Sequence, residues 1–292
     1  MTRAVTVLAT GPQALVQDLG RPGNAHLGVP PSGALDQPSL RLANRLAGNT
    51  EDTAGIESVL GGLRLRAEVS CTVAVTGPSV PVTVDGRDAG SHTPVHLRAG
   101  QVIELGSPRS GLRCYVAVSG GIAVPPQLGS RSTDLLSGIG PDPLTAGDVL
   151  PLGLPVGPPV GEDAVPPPSP ADHLTIPVLL GPRDDWFADP AAQFARLTWA
   201  VSPESNRVGL RLLGDLLTRA PEFAGRELTS EGVVTGAVQV PASGRPVIFL
   251  ADRPTTGGYP VIGVVAARCL PELAQARPGT RIRLRVQAYS DS

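Results

Sequence analysis

Between Val156 and His173 the chain reads VGPPVGEDAVPPPSPADH, and no other stretch limits the architecture as strongly. Proline lacks a backbone N–H and its ring fixes φ, so a segment this rich in it is neither helix nor central strand. It is expected to run extended as a linker. The 292 residues then divide into an N-terminal β domain, 1–155, the linker, 156–173, and a C-terminal β domain, 174–292. Each part is long enough to bury a core of its own.

Strong punctuation continues outside the linker. The chain holds 35 glycines and 32 prolines, yet 41% of its residues are apolar and only 17% charged, which describes a turn-rich globular protein rather than a disordered one. Val80 to Asp88 (VPVTVDGRD) alternates and carries Asp85-Gly86, a strong hairpin signal. Tyr115 to Val118 and Val247 to Leu250 are short apolar runs of the kind that form buried strands. Arg281 to Gln287 (RIRLRVQ) alternates throughout, so one face meets a core and the other is covered by arginine. A glycine-initiated strand recurs at Gly100, Gly147 and Gly279, each with apolar residues three and five positions on, which hints that the two halves are similar barrels.

Helices are few. The best runs from Gln37 to Ala47, with Asp36 as N-cap, Pro38 in the first turn, Gly48 as the stop, and Leu35 and Leu40 at staple spacing. A second, Glu272 to Ala276, lies between Pro271 and Pro278-Gly279. The class is mainly β, built as barrels or sandwiches with few short helices.

Charge narrows the chemistry. With 24 basic and 26 acidic residues the net charge is −2, so no nucleic-acid partner is expected. Every basic residue is arginine. A chain without lysine has no P-loop lysine, no Schiff base and no attachment point for biotin or lipoate, so any phosphate or carboxylate must be held by Arg or by backbone amides. No GxSxG elbow, Walker A motif or Rossmann GxGxxG is present. Cys71, Cys114 and Cys269 stand too far apart to signal a disulfide framework or a zinc site and read as buried, reduced side chains. His92 and His96 have metal-like spacing, but Pro94 between them rules out a helix and no metal site is expected; His26 reads as a surface loop histidine. Met1 to Gly11 has no signal-peptide core and no apolar run is long enough to span a bilayer, so a cytoplasmic location without membrane contact is expected.

The most site-like segment is Ala251 to Pro260, ADRPTTGGYP, which follows a buried strand. Arg253 supplies charge, Thr255 and Thr256 hydroxyls, and Gly257-Gly258 backbone amides that can cradle an anion; Asp252 can orient the arginine or act as a base. The same string also suits a tight turn whose Asp and Thr side chains cap their own backbone. Arg131 and Asp134 in SRSTD, and Asn206 and Arg207 in SPESNR, fit either a polar site or a polar turn. Glu231, with Gln239 eight residues on, is a carboxylate whose pKa would rise in apolar surroundings enough for acid–base work, or else a structural acid.

Six strings carry a further likeness: VQDLGRPG (16–23), SGALDQPSLRLANRLAGN (32–49), LGSRSTDLLSGIG (128–140), SPESNRVGLRL (202–212), SEGVVTGAVQVP (230–241) and FLADRPTTGGYPVIG (249–263). In order and without large gaps from about Val5 to Leu284, they resemble the biotin-dependent carboxyltransferase family, also called allophanate hydrolase subunit 2 or KipA-like. Its bacterial members include the C subunit of the ATP-dependent 5-oxoprolinase. The resemblance implies two cyclophilin-like β-barrel domains and two further proteins in a heteromeric complex, one KipI-like and one LamB/YcsF-like. It implies activation of 5-oxoproline by phosphoryl transfer from ATP, with Mg, at the level of the complex, and hydrolysis to glutamate. Related members instead move a carboxyl group from carboxybiotin to urea or a similar amide, and the KipA name belongs to a regulatory partner of a KipI-like protein. On the motifs, Glu231 and Asp252 are the expected catalytic residues. Arg253, Thr255, Thr256, Gly257, Gly258, Tyr259, Asn206, Arg207, Gln239, Arg131 and Asp134 are the expected substrate or phosphate contacts.

Overall fold

A computed structural model describes residues 3–160 and 171–287. Most of the proline-rich linker, 161–170, lies outside the described residues, and His173 is already the first residue of a strand. The chain divides into two compact units: Met1–Arg21, Ser32–Asp134 and Gly138–Pro170 form one, and Pro22–Pro31, Leu135–Ser137 and Ala171–Ser292 the other.

The N-terminal unit comprises β1 (Ala4–Thr10), β2 (Gln13–Gln17), α1 (Gln37–Ala47), β3 (Gly55–Val59), β4 (Leu63–Ala67), β5 (Cys71–Thr76), β6 (Val82–Val84), β7 (Arg87–Asp88), β8 (Pro94–Leu97), β9 (Val102–Leu105), β10 (Arg113–Val118) and β11 (Val149–Pro151). These make two sheets, ordered β11-β1-β4-β9-β6-β7 and β2-β3-β10-β5-β8. Alternation along LRLRA of β4 sends Leu63, Leu65 and Ala67 inward and its arginines out. They share one apolar core with Val7 and Ile103 of the same sheet and with Val16, Ile56, Val73 and Val116 of the other. The opposite face of β5 and β10 offers Ala74, Tyr115 and Ala117, and α1 lays Leu40, Ala43 and Leu46 on it.

Local signals act as expected. The Asp36 carboxylate accepts from the Ser39 backbone N–H at 3.1 Å and the Ser39 hydroxyl at 2.7 Å, and Gly48 ends α1 in the left-handed region. Asp85 and Gly86 both have positive φ, the two-residue turn that matches strand twist between β6 and β7. The three strand-initiating glycines, Gly100, Gly147 and Gly279, also have positive φ, and β9 and β11 follow the first two.

The C-terminal unit comprises β12 (His173–Leu180), α2 (Pro190–Arg196), β13 (Trp199–Val201), β14 (Gly209–Gly214), β15 (Glu231–Gly232), β16 (Ala237–Gln239), β17 (Val247–Phe249), β18 (Thr256–Gly257), β19 (Val261–Val265), α3 (Leu270–Ala274) and β20 (Arg281–Val286). Seven of these strands close a barrel in the order β12-β19-β16-β17-β14-β13-β20. Strand β20 runs parallel to β12 over six residue pairs and antiparallel to β13. Its Ile282 and Leu284 are buried, while Arg281, Arg283 and Arg285 face out, as the alternation requires.

The mainly β class with short helices therefore holds. The closed barrel belongs to the C-terminal unit, while the N-terminal unit wraps two sheets around a common core. Helix α3 starts two residues before the position read from sequence, because Leu270 takes helical dihedrals ahead of Pro271. The sequence reading misses helix α2, although Asp189-Pro190 is a cap-plus-proline start; the Asp189 carboxylate accepts from the Ala192 N–H at 3.0 Å. All three cysteines are free and buried, and burial pushes the Cys71 thiol up to about 11, out of reach of neutral-pH reactivity. No described helix is long and apolar enough to cross a membrane.

Candidate functional site

The ADRPTTGGYP segment leaves the barrel at the end of β17 and returns at β19, with Thr256–Gly257 pairing on the way as β18 against Glu231–Gly232 of β15. Its polar side chains are thus anchored at both ends by barrel strands.

Asp252 is fully buried. Its oxygens accept from Arg207 Nε at 2.9 Å and from a terminal nitrogen at 3.0 Å, and one of them also accepts from the Leu135 backbone N–H at 3.2 Å. The Asp252 backbone N–H in turn donates to the Arg207 carbonyl at 3.1 Å. A carboxylate held at both oxygens by a buried guanidinium is placed to brace the loop. Arg207 directs its guanidinium into the same pair.

Glu231 is also paired with a guanidinium. The neighbouring Arg183 grips both its oxygens, and this hydrogen-bonded guanidinium holds the carboxyl below the usual carboxylate range. The pair is about one-third exposed. A rise in pKa for acid–base work needs an apolar surround, and Glu231 has a cation instead.

Arg253 is different. It is 9% exposed, its Nε donates to the Thr235 hydroxyl at 3.2 Å and a terminal nitrogen donates to the Pro254 carbonyl at 3.0 Å. Among the described residues it meets no carboxylate, and burial pulls its pKa below the ordinary arginine value. A largely buried guanidinium that meets no carboxylate among the described residues has the chemistry to hold an anion.

The remaining expected contacts separate. Thr255 gives its carbonyl to the Val233 N–H at 3.0 Å, and Thr256 is exposed on β18. Buried Gln239 donates to the Tyr259 carbonyl at 3.1 Å. A Cβ at Gly257 would meet the Gln239 side-chain amide, which would have to shift to admit it. Gly258 is half-buried and Tyr259 is exposed. The Asn206 side chain accepts from the Val208 and Gly209 N–H groups at 2.9 and 3.3 Å, which is a turn brace; the turn alternative holds there. Arg131 and Asp134 belong to the N-terminal unit. Arg131 Nε donates to the Val124 carbonyl at 2.8 Å, and the buried Asp134 backbone pairs with Ile139 and Gly138.

What organises that N-terminal motif is Asp18, which sequence reasoning does not single out. Its carboxylate accepts from the Ser130 and Ser132 hydroxyls and the Arg131 N–H, each at 2.6 Å, and from the Gly20 N–H at 2.8 Å. Buried Arg21 donates to the Gln127 and Ser132 carbonyls. Another network that the sequence does not announce joins Tyr115, whose hydroxyl donates to Glu57 at 2.8 Å and accepts from the Asp36 N–H at 2.8 Å, while Glu57 faces Arg113 at 3.5 Å. The Arg183 partner of Glu231 is likewise invisible in the string, because 48 residues separate the two.

Comparison with known proteins places these motifs. The family model described as carboxyltransferase domain, subdomain A and B, matches residues 27–286. The chain is 38% identical to the C subunit of 5-oxoprolinase from Escherichia coli (strain K12) over 284 residues, covering 94% of this chain and 89% of that one. It is 33% identical to urea amidolyase of Saccharomyces cerevisiae, covering 99% of this chain but 17% of the yeast protein. Among solved structures, the Kluyveromyces lactis urea amidolyase superposes with a TM-score of 0.91 at 32% identity, over 98% of this chain and 19% of that one.

Proposed function

The chain belongs to the carboxyltransferase family that spans subdomains A and B, and from that premise we propose that it is the C subunit of an ATP-dependent 5-oxoprolinase. The observation that carries this reading is one of extent. The 5-oxoprolinase C subunit of E. coli is matched over nearly its whole length, whereas the yeast urea amidolyase is matched over a minor part of its own. A KipI-like protein and a LamB/YcsF-like protein are the proposed partners, and the chain is proposed to turn over substrate only with them.

The chemistry fits an arginine-and-amide site. A lactam carbonyl is a poor electrophile, and phosphoryl transfer from ATP to its oxygen activates the ring carbon: one water adds there, the C–N bond breaks with the nitrogen leaving as the amine, and a second water hydrolyses the resulting acyl phosphate to glutamate and phosphate. In this reading Arg253, with the Thr255 and Thr256 hydroxyls and the Gly257-Gly258 amides, holds an oxyanion of the substrate or phosphate. The Arg207–Asp252 brace fixes the loop on which Arg253 stands, and Gln239 fixes its far end through the Tyr259 carbonyl. Among the described residues no three His, Cys, Asp or Glu side chains cluster to hold a metal ion; Mg, in this reading, comes on the nucleotide's own phosphates.

The test is ADP release by this chain mixed with the KipI-like and LamB/YcsF-like proteins of the same organism. Release that needs both this chain and 5-oxoproline, with glutamate appearing, is the expected result; no stimulation in a demonstrably assembled complex would overturn the reading. The superposition on urea amidolyase favours a second reading, carboxyl transfer to urea or a related amide. Since the chain has no lysine, a separate protein would carry the biotin, and urea-dependent consumption of carboxybiotin would reveal it.

A further inference from the structure

A cavity of about 610 Å³ opens on the C-terminal unit, between the segment that runs from Arg219 to Leu228 and the far end of the ADRPTTGGYP loop at Gly258 and Tyr259. Its volume falls within the roughly 300–1,000 Å³ that hold a cofactor-sized ligand. That is far more room than a five-membered lactam needs.

Two guanidinium groups line it. The Arg219 guanidinium lies 5.6 Å from the ring centre of Trp186, and that of Arg226 lies 5.8 Å from Trp186 and 5.1 Å from Phe223. The two rings are themselves stacked, with centroids 4.7 Å apart. Arg219 also donates to the Arg226 carbonyl at 2.9 Å, which ties the two positions together. Neither arginine forms an ion pair among the described residues, and Glu227 is the one carboxylate among the described residues that line the cavity. Aromatic faces orient a guanidinium without neutralising it, so both keep their full charge for a ligand. Tyr259, with half its surface open, offers a flat face beside them.

We propose that this cavity binds a nucleotide-sized ligand by its phosphate groups, with Arg219 and Arg226 as the phosphate contacts and the Tyr259 side as the wall for the rest of the molecule. Two fixed forks suit adjacent phosphates better than a single carboxylate, because each fork binds two oxygens. The identification of that ligand with ATP rests on the proposed function; the site itself does not.

The experiment uses the isolated full-length chain and three probes: ATP, inorganic tripolyphosphate and 5-oxoproline. In calorimetric titration, ATP and tripolyphosphate are expected to bind, and to bind roughly tenfold or more weakly to Arg219→Gln and Arg226→Gln. Because those substitutions also loosen the clasp on Trp186, wild-type protein supplies a second readout. Trypsin cuts after arginine, so ATP and tripolyphosphate should slow cleavage after Arg226 while leaving cleavage after Arg109 unchanged. Absence of ATP and tripolyphosphate binding, equal binding by both variants, or unprotected Arg226 would overturn the proposal. So would a response to 5-oxoproline alone. If 5-oxoproline-dependent ADP release persists while the isolated chain fails these tests, the nucleotide sits on a partner protein, and only this inference falls.

Discussion

Arg207 and Asp252 are joined through two side-chain hydrogen bonds of 2.9 and 3.0 Å, with both side chains closed off from solvent. Forty-five residues apart in sequence, they tie the turn before β14 to the loop after β17. The buried pair anchors Asp252, the residue beside Arg253, at the start of the motif loop.

Breaking that pair should be costly. Asp252→Asn removes the buried carboxylate charge that Arg207 holds at both oxygens, and a loss of about 3 kcal/mol or more in unfolding free energy is expected. Replacing both partners by apolar residues of similar size, as in Arg207→Met with Asp252→Leu, should recover much of it. Thermal and urea unfolding measure both. A single variant as stable as wild type would show that the pair does not brace the loop.

Arg253→Gln should separate stability from activity. The variant breaks no ion pair, so its melting temperature should stay close to that of wild type, while 5-oxoproline-dependent ADP release by the complex falls by about 10- to 100-fold, as for removal of a charged oxyanion contact. Steady-state kinetics and a melting curve on the same preparation are enough. An unchanged rate would remove Arg253 from the site.

The Glu231–Arg183 pair makes a pH prediction with a definite sign. The folded carboxyl is held below its ordinary value of about 4.3, so whatever stability the pair lends is present above that value. It is lost only as the pH falls through the lower folded pKa. Glu231 should therefore stay ionised throughout the neutral range, and Glu231→Gln should not move the pH optimum of the complex. Carboxyl carbon shifts followed by NMR should show a midpoint below about 4.3; a midpoint near about 6 would favour a general-base role for Glu231.

Tyr115→Phe removes one hydroxyl and takes that partner from the Asp36 N–H and from Glu57 Oε2, which also accepts from the Leu35 N–H at 3.1 Å. A cost of about 1–3 kcal/mol follows from buried polar groups left without that partner. Burial, with Glu57 and Asp36 nearby, also raises the Tyr115 hydroxyl well above its ordinary value. An absorbance titration comparing wild type with Tyr115→Phe should accordingly show one tyrosine that does not ionise before the protein unfolds.

Much of the fold is legible in the sequence because its signals are local. Asp36 and Gly48 bound α1 by chemistry contained within a few residues, Asp85-Gly86 dictates its own hairpin, and the alternation of RIRLRV tells its two faces apart without reference to a partner. The site is legible as a segment but not as roles. ADRPTTGGYP shows that polar groups collect at a strand end, yet nothing in the string says that Asp252 faces inward to Arg207 while Arg253 keeps its charge. That distinction depends on distant residues. The same holds for Asp18, whose three partners at 130–132 lie more than a hundred positions away, and for Glu231, whose expected apolar surround is displaced by Arg183.

The parallel seam between β12 and β20 has a consequence for how this protein is made. Strand β20 sits between the first two barrel strands of its unit, β12 and β13, yet of the described barrel strands it is the last to be synthesised. A ribosome must deliver residues through Val286 before the barrel can close. Until then β12 and β13 each keep a bare edge, so the C-terminal unit completes its fold only once β20 has emerged, whatever the N-terminal unit has already done.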